Sequence, residues 1–276
     1  MNNAGIAFIG GGNMAASLIA GLIADGQAPA GLWVAEPDSA RREGLRERFG
    51  VQVVADNRDA LAHAETLVLC VKPQLAPGVC RELGDLAAGL GLLVISVMAG
   101  VPESGIQRWL GATLPVVRAM PNTPAMVQTG AIALHASPEV TEEGRNRAET
   151  ILRAAGLTRW VEQESQIDAV TALSGSGPAY FFLLMEALEQ GGIELGLDAE
   201  TARLLTIQTA LGAARMAFES ESTPARLREQ VTSPGGTTER ALAVFEDAGL
   251  RPLVGRALRA AHDRAVEISR SLLEQP

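Results

Sequence analysis

The chain has 276 residues, enough for roughly two domains and a sizeable core. Its 47% of hydrophobic but only 4% of aromatic residues suit an α/β or α-helical protein better than a β-sandwich. A formal net charge of −9 with no basic cluster excludes a nucleic-acid partner from the expectations, because phosphates need a basic face.

Apolar runs and helical patterns alternate up to about residue 163. The first run, Ile6-Ala7-Phe8-Ile9, leads into Gly10-Gly11-Gly12-Asn13-Met14-Ala15 and a helical pattern through Leu18, Ile19, Leu22 and Ile23. This is the G-x-G-x-x-A dinucleotide fingerprint in its strand, turn and helix setting: Gly10 makes the turn, Gly12 lets a pyrophosphate approach, and Ala15 packs the helix. A purely structural glycine turn is the competing reading, and the place directly after a first strand favours the cofactor.

Further strands are predicted at 32–35, 51–54, 66–71, 92–97, 116–120, 131–135 and 158–161, with helices near 13–25, 39–49, 57–63, 75–87, 103–110 and 141–155. Such alternation implies a parallel, doubly wound sheet with its ligand along the carboxyl ends of the strands. Glu36 ends the second strand, where an acid takes the ribose hydroxyls of NAD, yet Ser39, Arg41 and Arg42 follow at once. The apolar stretch 86–101 is shorter than a membrane span, contains glycines and reads as loop plus buried strand.

Cys70 and Cys80 have neither a disulfide-framework nor a zinc spacing, and Cys70 reads as a small buried residue closing a strand. His63, His135 and His262 are scattered and read as surface or helix-end residues, so no metal site is expected. No targeting segment is evident before the first strand, and the expectation is a soluble cytoplasmic protein with no membrane partner.

From residue 164 onward the strand signals stop. Residues 166–191, 198–220, 223–231, 237–248 and 250–273 read as helices, giving an expected division into a dinucleotide-binding domain at 1–163 and a helical substrate-binding and dimerisation domain at 164–276. The two central helices are apolar over much of their surface (Phe181, Phe182, Leu183, Leu184, Met185, then Leu204, Leu205, Ile207, Leu211). Helices apolar most of the way round need neighbours on several sides, and a homodimer supplies them.

One loop stands apart. Val231-Thr232-Ser233-Pro234-Gly235-Gly236-Thr237-Thr238 has three threonines, a serine, two glycines and no charge, directly before the helical pattern Ala241, Leu242, Val244, Phe245. Glycines let main-chain N–H groups turn inward, and a helix start carries unpaired donors and partial positive charge, so the loop suits a small anion. An ordinary capped helix start, with Thr237 or Thr238 as N-cap, fits the same residues.

The fingerprint Phe8-Ile9-Gly10-Gly11-Gly12-Asn13-Met14-Ala15, the turn Val71-Lys72-Pro73-Gln74, the segment Met120-Pro121-Asn122-Thr123-Pro124, the run Leu173-Ser174-Gly175-Ser176-Gly177-Pro178-Ala179-Tyr180 and the 231–238 loop occur in one order along nearly the whole chain. Together they closely resemble pyrroline-5-carboxylate reductase. The resemblance implies a Rossmann domain joined to an all-α dimerisation domain, reducing Δ1-pyrroline-5-carboxylate to L-proline with NAD(P)H in the last step of proline biosynthesis. It implies NADPH as the preferred cofactor with NADH tolerated, a small-molecule substrate, and a homodimer that in relatives assembles further into rings.

The same resemblance assigns residues. Ile9, Gly10, Gly11, Gly12, Asn13, Met14 and Glu36 would hold the cofactor, with Asn57 near its adenosine half, Cys70, Val71, Lys72 and Pro73 after the fourth strand, and Ala99 near the nicotinamide. Ser233, Gly235, Gly236 and Thr237 would bind the substrate carboxylate, chiefly through the Gly236 and Thr237 N–H groups, while Thr238 would be the catalytic contact to the ring nitrogen. Glu164 and Glu221 align with acids near the substrate pocket, a solvated surface role being the alternative for both. Ser176 and Gly177 would allow close approach to the nicotinamide, simple helix packing being the competing reading.

Chemistry accounts for an absence. A carbonyl reductase needs a strong acid for the developing alkoxide, whereas an imine is protonated before hydride arrives, so a hydroxyl donor suffices. Lys72 is the one lysine, and no histidine falls in a candidate loop. A β-hydroxyacid dehydrogenase would carry a lysine one turn into the long helix, where this chain reads Gly177-Pro178-Ala179-Tyr180-Phe181-Phe182. A short-chain dehydrogenase is opposed by the lack of a lysine four residues after Tyr180, and a non-catalytic nucleotide-binding regulator by the intact Ser233, Gly235, Gly236 and Thr238.

Overall fold

Eight strands make one sheet: β1 (Ile6–Ile9), β2 (Leu32–Ala35), β3 (Gln52–Val54), β4 (Thr66–Leu69), β5 (Leu93–Ser96), β6 (Val116–Met120), β7 (Gly130–Ala136) and β8 (Gly156–Trp160). The computed structural model describes residues 5–274. Strand order is β3-β2-β1-β4-β5-β6-β7-β8. The chain winds outward from β1 to β3 and then returns to β4 on the other side of β1, so the winding reverses between β1 and β4. The first six strands are parallel. β7 departs from the expected parallel order and runs antiparallel to β6. Residues 121–129 between them form only a short 3₁₀ turn, Thr123–Val127, with no helix to carry a crossover. β8 follows β7 in parallel.

β1, β4 and β5 are buried at every residue, as continuous apolar runs require when both sheet faces are covered. Side chains alternate between two cores: Ile6 and Phe8 join Leu18, Ile19, Ile151 and Leu152 on one face, and Ala7 and Ile9 join Leu83, Ile106 and Trp109 on the other. The covering helices are α1 (Asn13–Ala24), α2 (Ser39–Phe49), α3 (Asn57–Leu61), α4 (Ala76–Leu90), α5 (Glu103–Leu110) and α6 (Glu142–Arg153). Residues 86–90, read from sequence as loop, are the last turn of α4, which stops at Gly91 in the left-handed region, φ 61°.

The remaining helices are α7 (Gln166–Val170), α8 (Gly177–Glu194), α9 (Ala199–Glu219), α10 (Pro224–Gln230), α11 (Thr237–Asp247) and α12 (Leu250–Leu273). The expected single helix at 166–191 is instead divided, because residues 171–175 adopt a π turn before α8 begins. Two compact units result, one of residues up to 176 together with 261 onward, the other 177–260. Among the described residues of the second unit, Ala202 is the one buried hydrophobic side chain, while Phe181, Phe182, Leu183 and Phe218 are each more than 60% exposed. These helices have no interior of their own.

The first unit hides a charged cluster that sequence reading did not find. Arg118 projects from β6 with 3% of its side chain exposed, pairing with Glu164 at 3.1 Å and with Asp168 of α7 at 3.2 Å. Glu164 Oε1 also accepts the main-chain N–H of Glu103 at 2.8 Å, and Glu103 meets His135 Nδ1 of β7 at 2.6 Å. His135 is therefore not the surface residue expected. The ladder ties β6, β7, α5 and α7 together. Burial pushes the Glu103 carboxyl above the ordinary range, partly opposed by the hydrogen bond from His135 and reinforced by the charge of Glu164. A raised carboxyl pKa contributes stability that is complete below the unfolded-state value and is lost as pH rises through the folded-state value. The difference in unfolding free energy between the protein and Glu103→Gln should therefore shrink as pH rises from the carboxylate range toward neutrality. Urea titrations across that range test this, and a difference that grows with pH would contradict it.

Candidate active site

The reversal between β1 and β4 opens a crevice beyond the carboxyl ends of the strands, the place where doubly wound sheets bind ligands. Gly10 sits there at φ 97°, available to glycine without strain. A Cβ on it would stand 3.0 Å from the Cys70 carbonyl oxygen. Gly12 is the N-cap of α1 with no side-chain cap, and a Cβ there would meet nothing within 4 Å. The first N–H groups of α1, at Asn13 and Met14, thus face an unobstructed space with the positive end of the helix behind it, a cradle that fits a pyrophosphate. Ala15 is fully buried, as its packing role requires.

Glu36 is 6% exposed. One carboxylate oxygen accepts the Gly11 N–H at 3.0 Å and the other the Asp38 N–H at 3.1 Å, so the acid is pinned to the fingerprint turn. Arg42 donates to the main-chain oxygens of Glu36 and Pro37 at 2.7 and 2.8 Å. A cavity of about 520 Å³ beside the fingerprint is lined by Gly12, Asn13, Arg41, Arg48 and Phe49, among others.

On the other side of β1, Cys70 directly follows β4 and donates its N–H to the Ile9 carbonyl at 2.9 Å. Burial pushes its thiol up to about 12, so it stays a neutral packing group at neutral pH. Val71 and Pro73 are half-buried and Lys72 exposed where the chain turns toward α4. Asn57 opens α3 and donates to Glu82 at 3.1 Å. Ala99 is exposed on the loop after β5. All these predicted cofactor residues lie on loops that leave the carboxyl ends of the parallel strands or on the helices that follow.

In the second unit, α11 follows a glycine turn. Gly235 adopts φ 72°, and Gly236 is the N-cap of α11 with no side-chain cap. Neither Thr237 nor Thr238 caps the helix, so the plain cap reading does not describe this loop. They are instead its first two residues, whose N–H groups have no partner within the helix. The Gly236 N–H is already given to the Ser233 carbonyl at 3.0 Å, and the Gly235 N–H to Glu239 at 2.7 Å. Donors left for an anion are those of Thr237 and Thr238, one position later than expected. Ser233 is exposed, and the Thr238 side chain is half-buried.

The two acids separate. Glu164 belongs to the buried ladder and serves as an acceptor at the start of α5, whereas Glu221 is exposed between α9 and α10. Asn122, just past β6, also escaped the sequence reading of roles: it is 9% exposed and spans two segments by hydrogen bonds to Ser174 and Ala131. Among the described residues no group of His, Cys, Asp and Glu is arranged to hold a metal ion.

Comparison with known proteins finds relatives along the whole chain. Residues 164–268 match the family described as pyrroline-5-carboxylate reductase dimerisation, and residues 5–100 the family of NADP oxidoreductases, coenzyme F420-dependent. The pyrroline-5-carboxylate reductase of Pseudomonas aeruginosa is 48% identical over 99% of this chain and 99% of its own. The solved structure of a pyrroline-5-carboxylate reductase from Coxiella burnetii is 49% identical, with a TM-score of 0.93 over 97% of this chain and 99% of that one. Plasmodium falciparum pyrroline carboxylate reductase, solved with NADP bound, is 26% identical with a TM-score of 0.86 over 98% and 99%. With a nucleotide cradle at α1, a helical unit without a core and full-length relatives of one kind, the chain belongs to the pyrroline-5-carboxylate reductase family.

Proposed function

We infer that the protein reduces 1-pyrroline-5-carboxylate to L-proline with NAD(P)H, the last step of proline biosynthesis. The observation that carries this is the start of α11, where a glycine turn leaves the Thr237 and Thr238 N–H groups unpaired and no side chain caps them. A carboxylate placed there receives two main-chain hydrogen bonds and the helix dipole. Ser233 and the Thr237 hydroxyl add directional donors, and Gly235 and Gly236 keep the approach free of side chains. The Thr238 hydroxyl then meets the ring nitrogen, donating to the free imine and accepting from its protonated form. Bound NAD(P)H supplies the hydride for the C=N carbon. No stronger acid is required, because the nitrogen carries its proton before the bond is reduced.

In this reading residues 1–163 hold the cofactor and 164–276 the substrate and the partner copy. Ile9, Gly10, Gly11, Gly12, Asn13 and Met14 take the pyrophosphate side, Asn57 the adenosine side, Cys70, Val71, Lys72 and Pro73 the centre, and Ala99 with Ser176 the nicotinamide end. NADPH is the preferred donor and NADH is tolerated, since Arg41 and Arg48 line the cavity beside the fingerprint while the Glu36 carboxylate is engaged by two N–H groups. Glu221 faces the substrate region, and Glu164 contributes both to that region and to the ladder behind it. The protein works in the cytoplasm as a homodimer, and dimers assemble into a ring. The apolar surface of 166–194, which by length and composition alone would suit a membrane, is assigned to self-association.

The assignment is tested by supplying pyrroline-5-carboxylate and following NAD(P)H oxidation at neutral pH. Proline should form. Oxidation of 3-hydroxy acids without imine reduction would sink it.

Thr238→Ala should lower kcat about tenfold for each ~1.4 kcal/mol of hydrogen bonding lost, with cofactor affinity unchanged. Gly236→Val should instead raise the substrate KM, because a Cβ there stands 3.0 Å from the Ser233 carbonyl and crowds the anion's approach. Wild-type kinetics in both variants, with only the melting temperature reduced, would move the substrate site elsewhere.

Glu36→Gln removes a buried negative charge from the place where a 2′-phosphate would lie. The ratio of kcat/KM for NADPH over NADH should rise, by about tenfold for ~1.4 kcal/mol of repulsion relieved. A constant or falling ratio, measured with both cofactors, would show that Glu36 does not read the ribose.

A further inference from the structure

Residues 171–175 form a π turn at the end of the first unit, closed by the Ser176 N–H donating to the Thr171 carbonyl at 2.8 Å. A π turn carries one residue more than an α turn and has a cost, so it persists only where its surroundings hold it, and it recurs at functional sites. Two neighbours hold this one. The Asn122 side-chain amide donates to the Ser174 carbonyl at 3.0 Å, while its Oδ1 accepts the Ala131 N–H at the start of β7 at 2.9 Å. Gly175 lies against Met120, whose Cε would be 2.6 Å from a Cβ at that position. The end of β6 therefore grips the π turn from one side through Met120 and Asn122.

What depends on this grip is the direction of Ser176. Return of the segment to α register would advance every following residue by one position, about 100° around the helix axis. Asn122 is 9% exposed and both its amide atoms are engaged within the protein, so its side chain is committed to holding this geometry. Hydroxyls inside the segment do not substitute for it: Thr171 and Ser174 donate back to the Ile167 and Val170 carbonyls of α7.

We propose that Asn122 is a positioning residue for the reduction, keeping 171–175 in π register so that Ser176 is presented to the nicotinamide end of the cofactor. This rests on the reading of Ser176 given above. The chemistry singles out Asn over its closest isostere, because Asn122→Asp keeps the acceptor for Ala131 but turns the donor to Ser174 into a carboxylate. Protonation restores a donor, since a carboxylic acid O–H can reach the same carbonyl. Burial beside a carbonyl oxygen favours that protonated form at higher pH than in water.

The test compares kcat of Asn122→Asp with wild type from pH 8.5 to pH 6, using pyrroline-5-carboxylate and NADPH, together with NADPH affinity by fluorescence titration. The expected result is a kcat about tenfold or more below wild type at pH 8.5, a deficit that narrows as pH falls, and a substrate KM and NADPH affinity within about twofold of wild type. A kcat deficit independent of pH, or a variant altered only in KM or in melting temperature, would overturn the proposal while leaving the assigned reaction intact. Lack of turnover by the wild type would remove both. Should Asn122→Asp not fold, Asn122→Ala carries the test without adding charge: kcat should drop about tenfold at every pH with NADPH affinity retained, and an unchanged kcat would refute the positioning role.

Discussion

Every helix begins with N–H groups that have no partner inside it, and how each beginning is satisfied organises this protein. α2, α3, α6, α9 and α10 are closed by side chains, those of Asp38, Asp56, Thr141, Asp198 and Thr223. α1 and α11 start on Gly12 and Gly236 with nothing in the cap position. α4, α5 and α7 also lack a side-chain cap, behind Leu75, Pro102 and Ser165, whereas α1 and α11 both follow glycine turns. One lies at the reversal point of the sheet, the place where doubly wound sheets bind their ligands. The other is the loop to which the substrate carboxylate is assigned.

A second constraint acts on the helical unit. Residues 177–260 bury almost no apolar side chain among themselves, so little within the unit offsets the entropy of ordering it. Membership of a family with a dimerisation domain over 164–268 explains why such a sequence folds. Phe181, Phe182 and Leu204 stand exposed on the chain alone, the kind of apolar surface that self-association covers.

Much of this was legible in the chain. Short apolar runs placed β1, β2 and β6 to the residue, and the helical patterns between them placed α2 and α5. The antiparallel β7 was missed because direction depends on what the connection can span, not on the strand's own residues. Arg118 was the visible sign of the buried ladder, a charge within the apolar run Val116-Val117-Arg118-Ala119-Met120. Its partners Glu164 and Asp168 lie far along the chain, so spacing could not join them. The π turn was hidden for a similar reason, since its residues suit an α-helix and only the tertiary grip of Met120 and Asn122 selects the wider turn. At the 231–238 loop, which N–H groups remain free depends on the turn geometry, which residue types alone do not fix.

Recognition through main-chain donors has a consequence for sequence drift. The N–H groups of Thr237 and Thr238 belong to the peptide, so exchanging either side chain for another leaves both donors in place. Proline alone among the twenty residues deletes one. The proposed anion grip is thus insulated from most single-codon changes at the positions that form it, while the glycines before it, Gly235 with φ 72° and Gly236 against Ser233, carry the vulnerability. Selection on this loop should fall on its backbone shape more than on its chemical letters, with Thr238 the one side chain that the proposed reaction sets against the reacting bond.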